Sequence, residues 1–466
     1  MVFNTYTFLL FFILFYGLYW TVGRRSIEVR NWIILIGSYV FYGWWDWRFL
    51  SLIAFSTLVD FWMGIRIQQS DKKVLRRTFL WISIGVNLGL LGFFKYYNFF
   101  VDSWAKAWEG LGYSMDPWTL NIILPVGISF YTFQTMSYSM DIYRRNLEPT
   151  RNFIAFAAFV SFFPQLVAGP IERASNLLPQ ILKRIPFSYE QSVQGIRLIV
   201  WGMFKKVVIA DNLGPMVDSI FSSPEEYGSL TLILGVIYFS VQIYCDFSGY
   251  SDIAIGVSKT LGFELMTNFN RPYFSRNIGE FWKKWHISLS TWFRDYLYIP
   301  LGGSRVSSLK AIRNILVVFL VSGFWHGANW TFLVWGGLHG LYYVPSFIKK
   351  KKDQVKEASE SGIKHLYGIL STYIIVLFAW VFFRSDSVRN AIHFFQEMIQ
   401  FDNLRIQWLR GVPFVLMILL LDLLVRDVRN PFRNNHRFIY RSIFLVQLIL
   451  IYNYFGERST FIYFQF

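Results

Sequence analysis

Three of the six histidines, His286, His326 and His339, stand in aromatic, otherwise apolar stretches of this sequence, where an ionisable side chain is expensive. For His339, in GGLHGLYY, a hydrogen-bonded place in the core is the favoured interpretation. His326 lies within VSGFWHGANW (321–330), between Trp325 and Gly327, and His286 follows a tryptophan in WHISLSTW. Near pH 7 a neutral imidazole accepts a proton from a hydroxyl, and small neighbours admit a ligand that polar groups orient. The residues predict a general base, His326, in a membrane-embedded pocket supported by Trp325 and Asn329.

Other chemistries find less support in the residue spacing. None of the six histidines is followed by another at three or four residues, so the spacing typical of a zinc site is missing. The single cysteine, Cys245, excludes an internal disulfide, and the sequence contains no G-x-S-x-G nucleophile motif. We therefore expect no metal site and no covalent nucleophile.

Two carboxylates in IYCDFSGYSDIAIG, Asp246 and Asp252, are also candidates, because a charged group at membrane depth costs several kcal/mol without a partner. A structural role, with the carboxylates bonded to neighbouring helices or to Ser248 and Tyr250, is the favoured interpretation. Direct participation in chemistry remains the alternative.

The composition indicates the elements that must position these groups. Of 466 residues, 54% are hydrophobic and 16% charged, against about 45–50% and 25% in soluble domains. Apolar runs long enough to cross roughly 30 Å of hydrocarbon recur along the chain, and we estimate about eleven spans. The sequence predicts an all-α polytopic membrane protein that forms one multi-pass domain over residues 1–466.

The formal charge of +16 is explained by topology rather than by nucleic-acid binding. Basic residues concentrate in short connectors, such as 24–30 and 66–77, where the positive-inside bias places Lys and Arg on the cytoplasmic side. The amino terminus is then expected outside, and the first apolar run is expected to be a retained helix rather than a cleaved signal.

Residues 263–313 mix aromatic and charged side chains at a density that a lipid-facing helix would not tolerate. The pattern predicts an interfacial or re-entrant segment, in which one helical face carries Ile278, Phe281, Trp282 and Trp285. Basic residues of this segment suit either an anionic donor, such as a nucleotide-bearing thioester, or lipid headgroups; they are Arg271, Arg276, Lys283, Lys284, Arg294, Arg305 and Lys310.

Three motifs carry a family resemblance. They are YCDFSGYSDIAIG (Tyr244–Gly256), FWKKWHISLSTWFRDYLYIPLGGSR (Phe281–Arg305) and GFWHGANWTFLVWGGLHG (Gly323–Gly340). In this order they resemble the membrane-bound O-acyltransferase superfamily, and within it the bacterial alginate O-acetyltransferase branch.

The resemblance implies a ring of helices around a central tunnel, with a cytoplasmic acyl thioester and an acceptor that arrives from the other face. It makes His326 the catalytic base and His286 the second catalytic residue, which positions substrate or assists the proton transfer. The supporting residues would be Asp246, Trp285, Arg294 and Asp295, beside Trp325 and Asn329. Acetyl-CoA would be the donor substrate, and no cofactor is expected to be bound.

The implied function is transfer of an acetyl group to an exported cell-surface polysaccharide at the bacterial inner membrane, directly or through a periplasmic partner acetyltransferase. The resemblance leaves other donors and acceptors open: a D-alanyl carrier protein with teichoic acid, a long-chain acyl-CoA, or peptidoglycan. A non-enzymatic transporter or scaffold of a polymer-secretion complex is the alternative of a different class.

Overall fold

A computed structural model describes residues 1–352, 362–401, 404–425, 428, 431, 437–456 and 461–462. Over these residues the chain forms twenty α-helices joined by short 3₁₀ and π-helical segments, and no strand. The all-α prediction is confirmed.

The helices have the following bounds in chain order. The first ten are α1 Tyr6–Thr21, α2 Ile27–Asp46, α3 Leu50–Gln69, α4 Lys73–Leu91, α5 Tyr97–Glu109, α6 Ile128–Tyr143, α7 Phe153–Val160, α8 Phe163–Leu166, α9 Ala174–Leu182 and α10 Tyr189–Met203. The others are α11 Asp211–Ser222, α12 Ser229–Thr260, α13 Ile278–Lys284, α14 Ile287–Phe293, α15 Ser308–His326, α16 Trp330–Lys352, α17 Gly362–Arg384, α18 Val388–Gln400, α19 Val412–Leu424 and α20 Arg437–Tyr454.

These helices form two compact units. The first contains Met1–Ile196 with Ala254–Met266, and the second contains Arg197–Ile253 with Thr267–Phe466. Both histidines singled out above belong to the second unit. A single multi-pass domain over 1–466 remains a prediction.

Among the residues that the structure describes, five helical stretches are long and apolar enough to cross a membrane: Ile27–Gln69, Lys73–Glu109, Ser229–Thr260, Ser308–His326 and Gly362–Arg384. Three shorter apolar helices also occur, at Tyr6–Thr21, Phe153–Leu166 and Arg441–Tyr454. At about 1.5 Å per residue, the 32-residue helix α12 is about 48 Å long, more than the roughly 30 Å hydrocarbon core. Membrane character is thus confirmed, while the number of about eleven spans remains a prediction.

Within the first unit, a buried carboxylate shows how this chain accommodates charge among its spans. Asp60 on α3 accepts hydrogen bonds from Ser83 Oγ (2.5 Å) and Asn87 Nδ2 (2.9 Å) on α4. Thr135 of α6 donates to Asn87 Oδ1 at 3.0 Å and extends the network to a third helix. Because all four side chains are at most 1% exposed, these bonds replace water at Asp60 and tie the three helices together.

In the second unit, α15 and α16 approach so closely that only glycine fits at the contact. A Cβ at Gly323 would overlap with the Phe332 carbonyl oxygen, and a Cβ at Gly336 would overlap with that of Phe319. Small residues at a helix crossing let the backbones meet. The contact fixes the end of α15, where His326 lies, against the first turns of α16.

The predicted interfacial segment contains short helices rather than a span. In α13, Ile278, Phe281 and Trp282 are buried while Lys283 is exposed, which confirms the predicted face. Trp285 differs from the expectation, because α13 ends at Lys284 and Trp285 has an extended backbone. Its side chain is nevertheless only 1% exposed, because tertiary contacts bury it. The position of this segment at a membrane surface remains a prediction.

The ion pairs of Glu280 on α13 lead to a prediction about the stability of the fold. Partial burial raises the pKa of Glu280, but hydrogen bonds from Lys284 and Arg276 outweigh this effect and hold the pKa at about 2. Because this pKa lies below the ordinary value near 4.5, the ionised carboxylate stabilises the fold at pH values above about 4.5. The contribution disappears as the pH falls towards 2. We expect Glu280→Gln to lower the midpoint of thermal unfolding in detergent by roughly 1–3 °C at pH 7.

The difference between wild type and Glu280→Gln should shrink as the pH is lowered from about 5 to 3. Glu109→Gln, which changes an exposed carboxylate at the end of α5, is the matched control and should leave the midpoint unchanged. A pH-independent difference would contradict the assignment.

Candidate active site

The two histidines predicted to act together do lie together. The ring centroids of His286 and His326 are 6.2 Å apart, at an interplanar angle of 60°. Trp325 contacts both, with centroids 5.0 Å from His326 and 5.9 Å from His286. All three side chains are at most 3% exposed, so the pair is enclosed by protein.

His286 has a backbone conformation that its residue type rarely adopts. Its φ of 43° and ψ of 55° lie in the left-handed region, which is strained for a non-glycine residue. Backbone hydrogen bonds on either side hold it there, from Ile287 N to Asn268 O (2.9 Å) and from Asn270 N to Lys284 O (2.9 Å). Strain of this kind persists only where the surroundings over-determine it, and it is frequent at functional sites.

The amide of Asn268 orients the His286 ring and selects its tautomer. Asn268 Oδ1 accepts hydrogen bonds from Ser288 N (3.2 Å) and Ser288 Oγ (2.8 Å), so this atom is the oxygen and not the amide nitrogen. His286 Nδ1 lies 3.1 Å from the same oxygen and must therefore donate to it. The neutral ring then carries its lone pair on Nε2.

Burial keeps His286 in this neutral form. The ring is fully buried, and desolvation lowers its pKa to about 3 because a charged imidazolium is poorly solvated there. Asn268 Nδ2 in turn donates to Ser251 Oγ on α12 at 3.1 Å, so the orienting amide is itself held. A fixed, neutral imidazole with its lone pair on Nε2 is suited to accept a proton or a hydrogen bond.

Aromatic rings form the walls around both histidines. His286 contacts Phe247 of α12 at 4.7 Å and Phe269 at 6.4 Å between centroids. His326 contacts Trp335 of α16 at 5.1 Å and Phe383 of α17 at 5.6 Å. Such walls exclude water, which strengthens electrostatic interactions with a reacting group.

Asp246 belongs to a buried ionic network behind the histidines. Lys206 Nζ lies 2.7 Å from Asp246 Oδ1 and 2.8 Å from Asp211 Oδ1, while Lys205 Nζ lies 2.5 Å from Asp252 Oδ2. Both carboxylates of α12 therefore have cationic partners, as the structural interpretation expects, and their role in the reaction remains a prediction. Removing one partner of such a pair would leave an uncompensated buried charge, at a cost of about 3–5 kcal/mol.

A distant segment completes the surroundings of Asp246. Ile462 N donates to Asp246 Oδ2 at 2.7 Å, and the Phe461 ring packs 4.6 Å from Tyr250 and 6.3 Å from Phe247. Phe247, the neighbour of Asp246 in the chain, contacts both Phe461 and His286, and a supporting role of Asp246 remains a prediction.

The remaining predicted residues lie in different surroundings. Asn329 directly precedes α16, and its Oδ1 accepts from Thr331 N at 3.1 Å while its Nδ2 donates to the Asp386 carbonyl at 2.7 Å. Arg294 and Asp295 form an ion pair with each other at 2.6 Å, with the arginine side chain 59% exposed. The contacts place Asn329 as a capping residue and the Arg294–Asp295 pair at an exposed position. Their functional roles remain predictions.

Trp285 packs among aromatic rings next to the site. Its centroid lies 5.1 Å from both Phe269 and Trp380. Phe269 in turn contacts His286, so Trp285 packs against the outer side of the aromatic wall around His286.

The basic residues near His286 are in part neutralised. Glu280 pairs with both Arg276 (3.1 Å) and Lys284 (2.8 Å), and Asp295 pairs with Arg294. The positive surface expected from the residue types is therefore weaker than a count of basic residues suggests.

Several side chains that build the site were not predicted from the sequence. Asn268, Phe247, Trp335 and Phe383 each contact one of the histidines, and they come from four separate parts of the chain. The sequence did contain a signal for Asn268, because it is a polar amide in the same aromatic segment as His286. The three aromatic residues could not be singled out by residue type, because aromatic residues make up 20% of the sequence.

Comparison with known proteins identifies the class to which this site belongs. A family model described as "MBOAT, membrane-bound O-acyltransferase family" matches residues 146–348, which include His286 and His326. The probable alginate O-acetylase AlgI of Pseudomonas aeruginosa is 41% identical over 405 residues, covering 86% of this chain and 75% of that protein. The chain therefore belongs to the membrane-bound O-acyltransferase family, and it is an O-acyltransferase.

Two further relatives show the range of named acceptors. The probable alginate O-acetylase AlgI of Pseudomonas putida is 37% identical, with 93% of this chain and 89% of that protein covered. A peptidoglycan O-acetyltransferase of Helicobacter pylori is 34% identical, with 86% of this chain and 80% of that protein covered. The resemblance to this family, inferred from the three motifs, is confirmed.

The Asn268 interaction generates a prediction about acyl transfer. Asn268→Leu keeps a side chain of similar size but removes the oxygen that fixes the His286 tautomer. We expect the rate of acyl transfer in isolated membranes to fall by at least about 10²-fold, because a histidine in the wrong tautomer presents N–H where a lone pair is needed. The amount of protein in the membrane should be monitored in parallel.

Ser288→Ala is the matched control. It removes the hydroxyl that donates to Asn268 Oδ1 and keeps the backbone amide that marks this atom as oxygen, so its rate should remain within a few fold of wild type. Wild-type activity in Asn268→Leu would contradict the tautomer assignment.

Proposed function

We propose that this protein is an O-acetyltransferase that moves an acetyl group from cytoplasmic acetyl-CoA towards hydroxyls of an exported, alginate-like polysaccharide. It would act in the bacterial inner membrane, directly or through a periplasmic partner acetyltransferase. The observation that carries the proposal is the enclosed pair of His286 and His326, 6.2 Å apart within the family-matched segment. The names of the alginate relatives support acetyl as the group and a polysaccharide as the acceptor.

In the proposed reaction, His326 takes the proton from an acceptor hydroxyl as the oxygen attacks the thioester carbonyl carbon. The carbonyl π electrons move onto the oxygen, and the tetrahedral intermediate collapses as the carbon–sulfur bond breaks. The leaving thiolate recovers a proton from the imidazolium of His326. A general base of this kind contributes roughly 10²–10⁴-fold to the rate.

His286 has a complementary role in this scheme. Its Nδ1 donates to Asn268, so the acceptor atom of the neutral ring is Nε2, which carries the lone pair. That lone pair can orient the acceptor hydroxyl or stabilise the imidazolium that forms on His326. Both actions need the neutral, fixed ring that burial and Asn268 provide.

Peptidoglycan is a second candidate acceptor, favoured by the similarity to the Helicobacter pylori protein. Both acceptors present sugar hydroxyls, and the histidine pair would serve either through the same chemistry. The location of the acetate in the cell distinguishes them.

The proposal is tested by the acetate content of purified surface polysaccharide and of purified peptidoglycan from cells that carry each variant. His326→Ala should abolish acetylation of the polysaccharide, and His286→Ala should reduce it by at least about tenfold, at normal abundance in the membrane. His365→Ala is the matched control, because His365 is exposed on α17.

Acetate lost only from peptidoglycan in His326→Ala would assign the second acceptor instead. Unchanged acetate in both polymers would overturn the assignment of His326 as base and favour a transporter or scaffold.

A further inference from the structure

A buried indole next to His326 has a hydrogen-bond donor for which the described part of the chain provides no acceptor. Trp335, in the second turn of α16, has no exposed surface, and its Nε1 has no partner among the residues that the structure describes. An indole N–H is a donor only. Leaving such a group unpaired inside a protein costs about 1–3 kcal/mol, so a fold rarely keeps one without a reason.

The Trp335 ring lies directly against the proposed base. Its centroid is 5.1 Å from that of His326, and the two rings are nearly perpendicular at 85°. Trp380 stacks on it at 5.9 Å and 21°, and Phe383 meets it edge-on at 5.2 Å. The ring is therefore held on several sides.

The helix crossing fixes the distance between these two residues. Trp335 precedes Gly336, and His326 follows Gly323 by three residues. The Cα atom of each glycine would lie 3.2 Å from a Cβ built on the other. Because the two backbones touch at Gly323 and Gly336, the positions of Trp335 and His326 relative to each other are fixed by this contact.

The chemistry of the donor indicates the group that it would bind. Trp335 is neutral, and aromatic rings surround it, so the surroundings suit an uncharged oxygen better than a phosphate or a carboxylate. In acyl transfer, one such oxygen gains negative charge beside the base: the carbonyl oxygen of the acyl group. Preorganised donors directed at this oxygen are worth most in an enclosed site that excludes water.

We propose that the Trp335 indole N–H donates a hydrogen bond to the carbonyl oxygen of the transferred acyl group. The bond strengthens when the carbonyl π electrons move onto that oxygen, and it weakens again when the C=O bond reforms and the thiolate leaves. Trp335 is then a catalytic residue, and it differs from His326 in moving no proton. The assignment rests on the proposed acyl-transfer function.

A second buried indole provides a matched control. Trp282 of α13 is 7% exposed, and its Nε1 likewise has no partner within the described part of the chain. Its ring contacts Trp335 at 5.7 Å and His339 at 5.0 Å, one ring further from His326. Removing its N–H should therefore leave the reacting oxygen unaffected.

The test compares Trp335→Phe, Trp282→Phe and His326→Ala in membrane vesicles from polysaccharide-producing cells, with the cytoplasmic face outward. Radiolabelled acetyl-CoA is the donor, and label is counted in the polysaccharide fraction. For Trp335→Phe we expect kcat to fall by about 10²-fold with KM for acetyl-CoA within twofold, because the lost interaction strengthens only in the transition state. Trp282→Phe should keep kcat within twofold.

A subtler replacement separates loss of the donor from loss of packing. Incorporating β-(3-benzothienyl)alanine at position 335 exchanges the N–H for sulfur and keeps the bicyclic shape, and it should lower kcat as much as Trp335→Phe does. Wild-type kcat with this replacement, or a loss confined to KM, would overturn the inference.

The controls distinguish this inference from the proposed function. If wild type transfers label and His326→Ala does not, full activity of Trp335→Phe defeats only the role of Trp335. If His326→Ala remains active, or wild type transfers no label to the polysaccharide, the proposed function fails and this inference fails with it.

Discussion

The three hydrogen bonds accepted by the Asn268 amide oxygen are the interaction on which the site depends. They come from the backbone amide and hydroxyl of Ser288 and from Nδ1 of His286, and all three residues are at most 1% exposed. In such surroundings each donor needs a partner, so the network has one satisfactory arrangement. It gives the His286 ring one tautomer, while the backbone hydrogen bonds of Ile287 and Asn270 hold the residue in the left-handed region. A histidine that is merely buried would have neither its ring orientation nor its tautomer fixed in this way.

The glycine contact between α15 and α16 plays the corresponding part for His326. Gly323 and Gly336 bring the two backbones together, and this contact places the last residue of α15 against Trp335. Behind the pair, Lys206 joins Asp211 to Asp246, which also accepts from Ile462 N. The site is therefore supported by backbone contact on one side and by buried ion pairs on the other. Such support is what keeps catalytic groups within a fraction of an ångström of a productive geometry.

Much of this molecule follows from local sequence. The share of apolar residues specifies helices that cross a membrane, because only structures that satisfy their own backbone hydrogen bonds are stable in lipid. The rarity of ionisable groups in such stretches singles out His326, His286 and the aspartates of α12. The motifs around them suffice to name the O-acyltransferase family. Even the buried face of α13 can be read from the spacing of Ile278, Phe281 and Trp282.

The partners of those residues were decided only by the fold. Nothing local connects Asn268 with the His286 tautomer, Ile462 with Asp246, or Trp335 with His326, because each pair depends on how the chain returns to itself. The same holds for Asn329, which follows His326 by three residues but whose amide binds Thr331 N at the start of α16 and the Asp386 carbonyl. Sequence determined which groups could do chemistry, since rarity and cost are properties of single residues. Tertiary structure decided which groups meet, since hydrogen bonding and packing are properties of pairs.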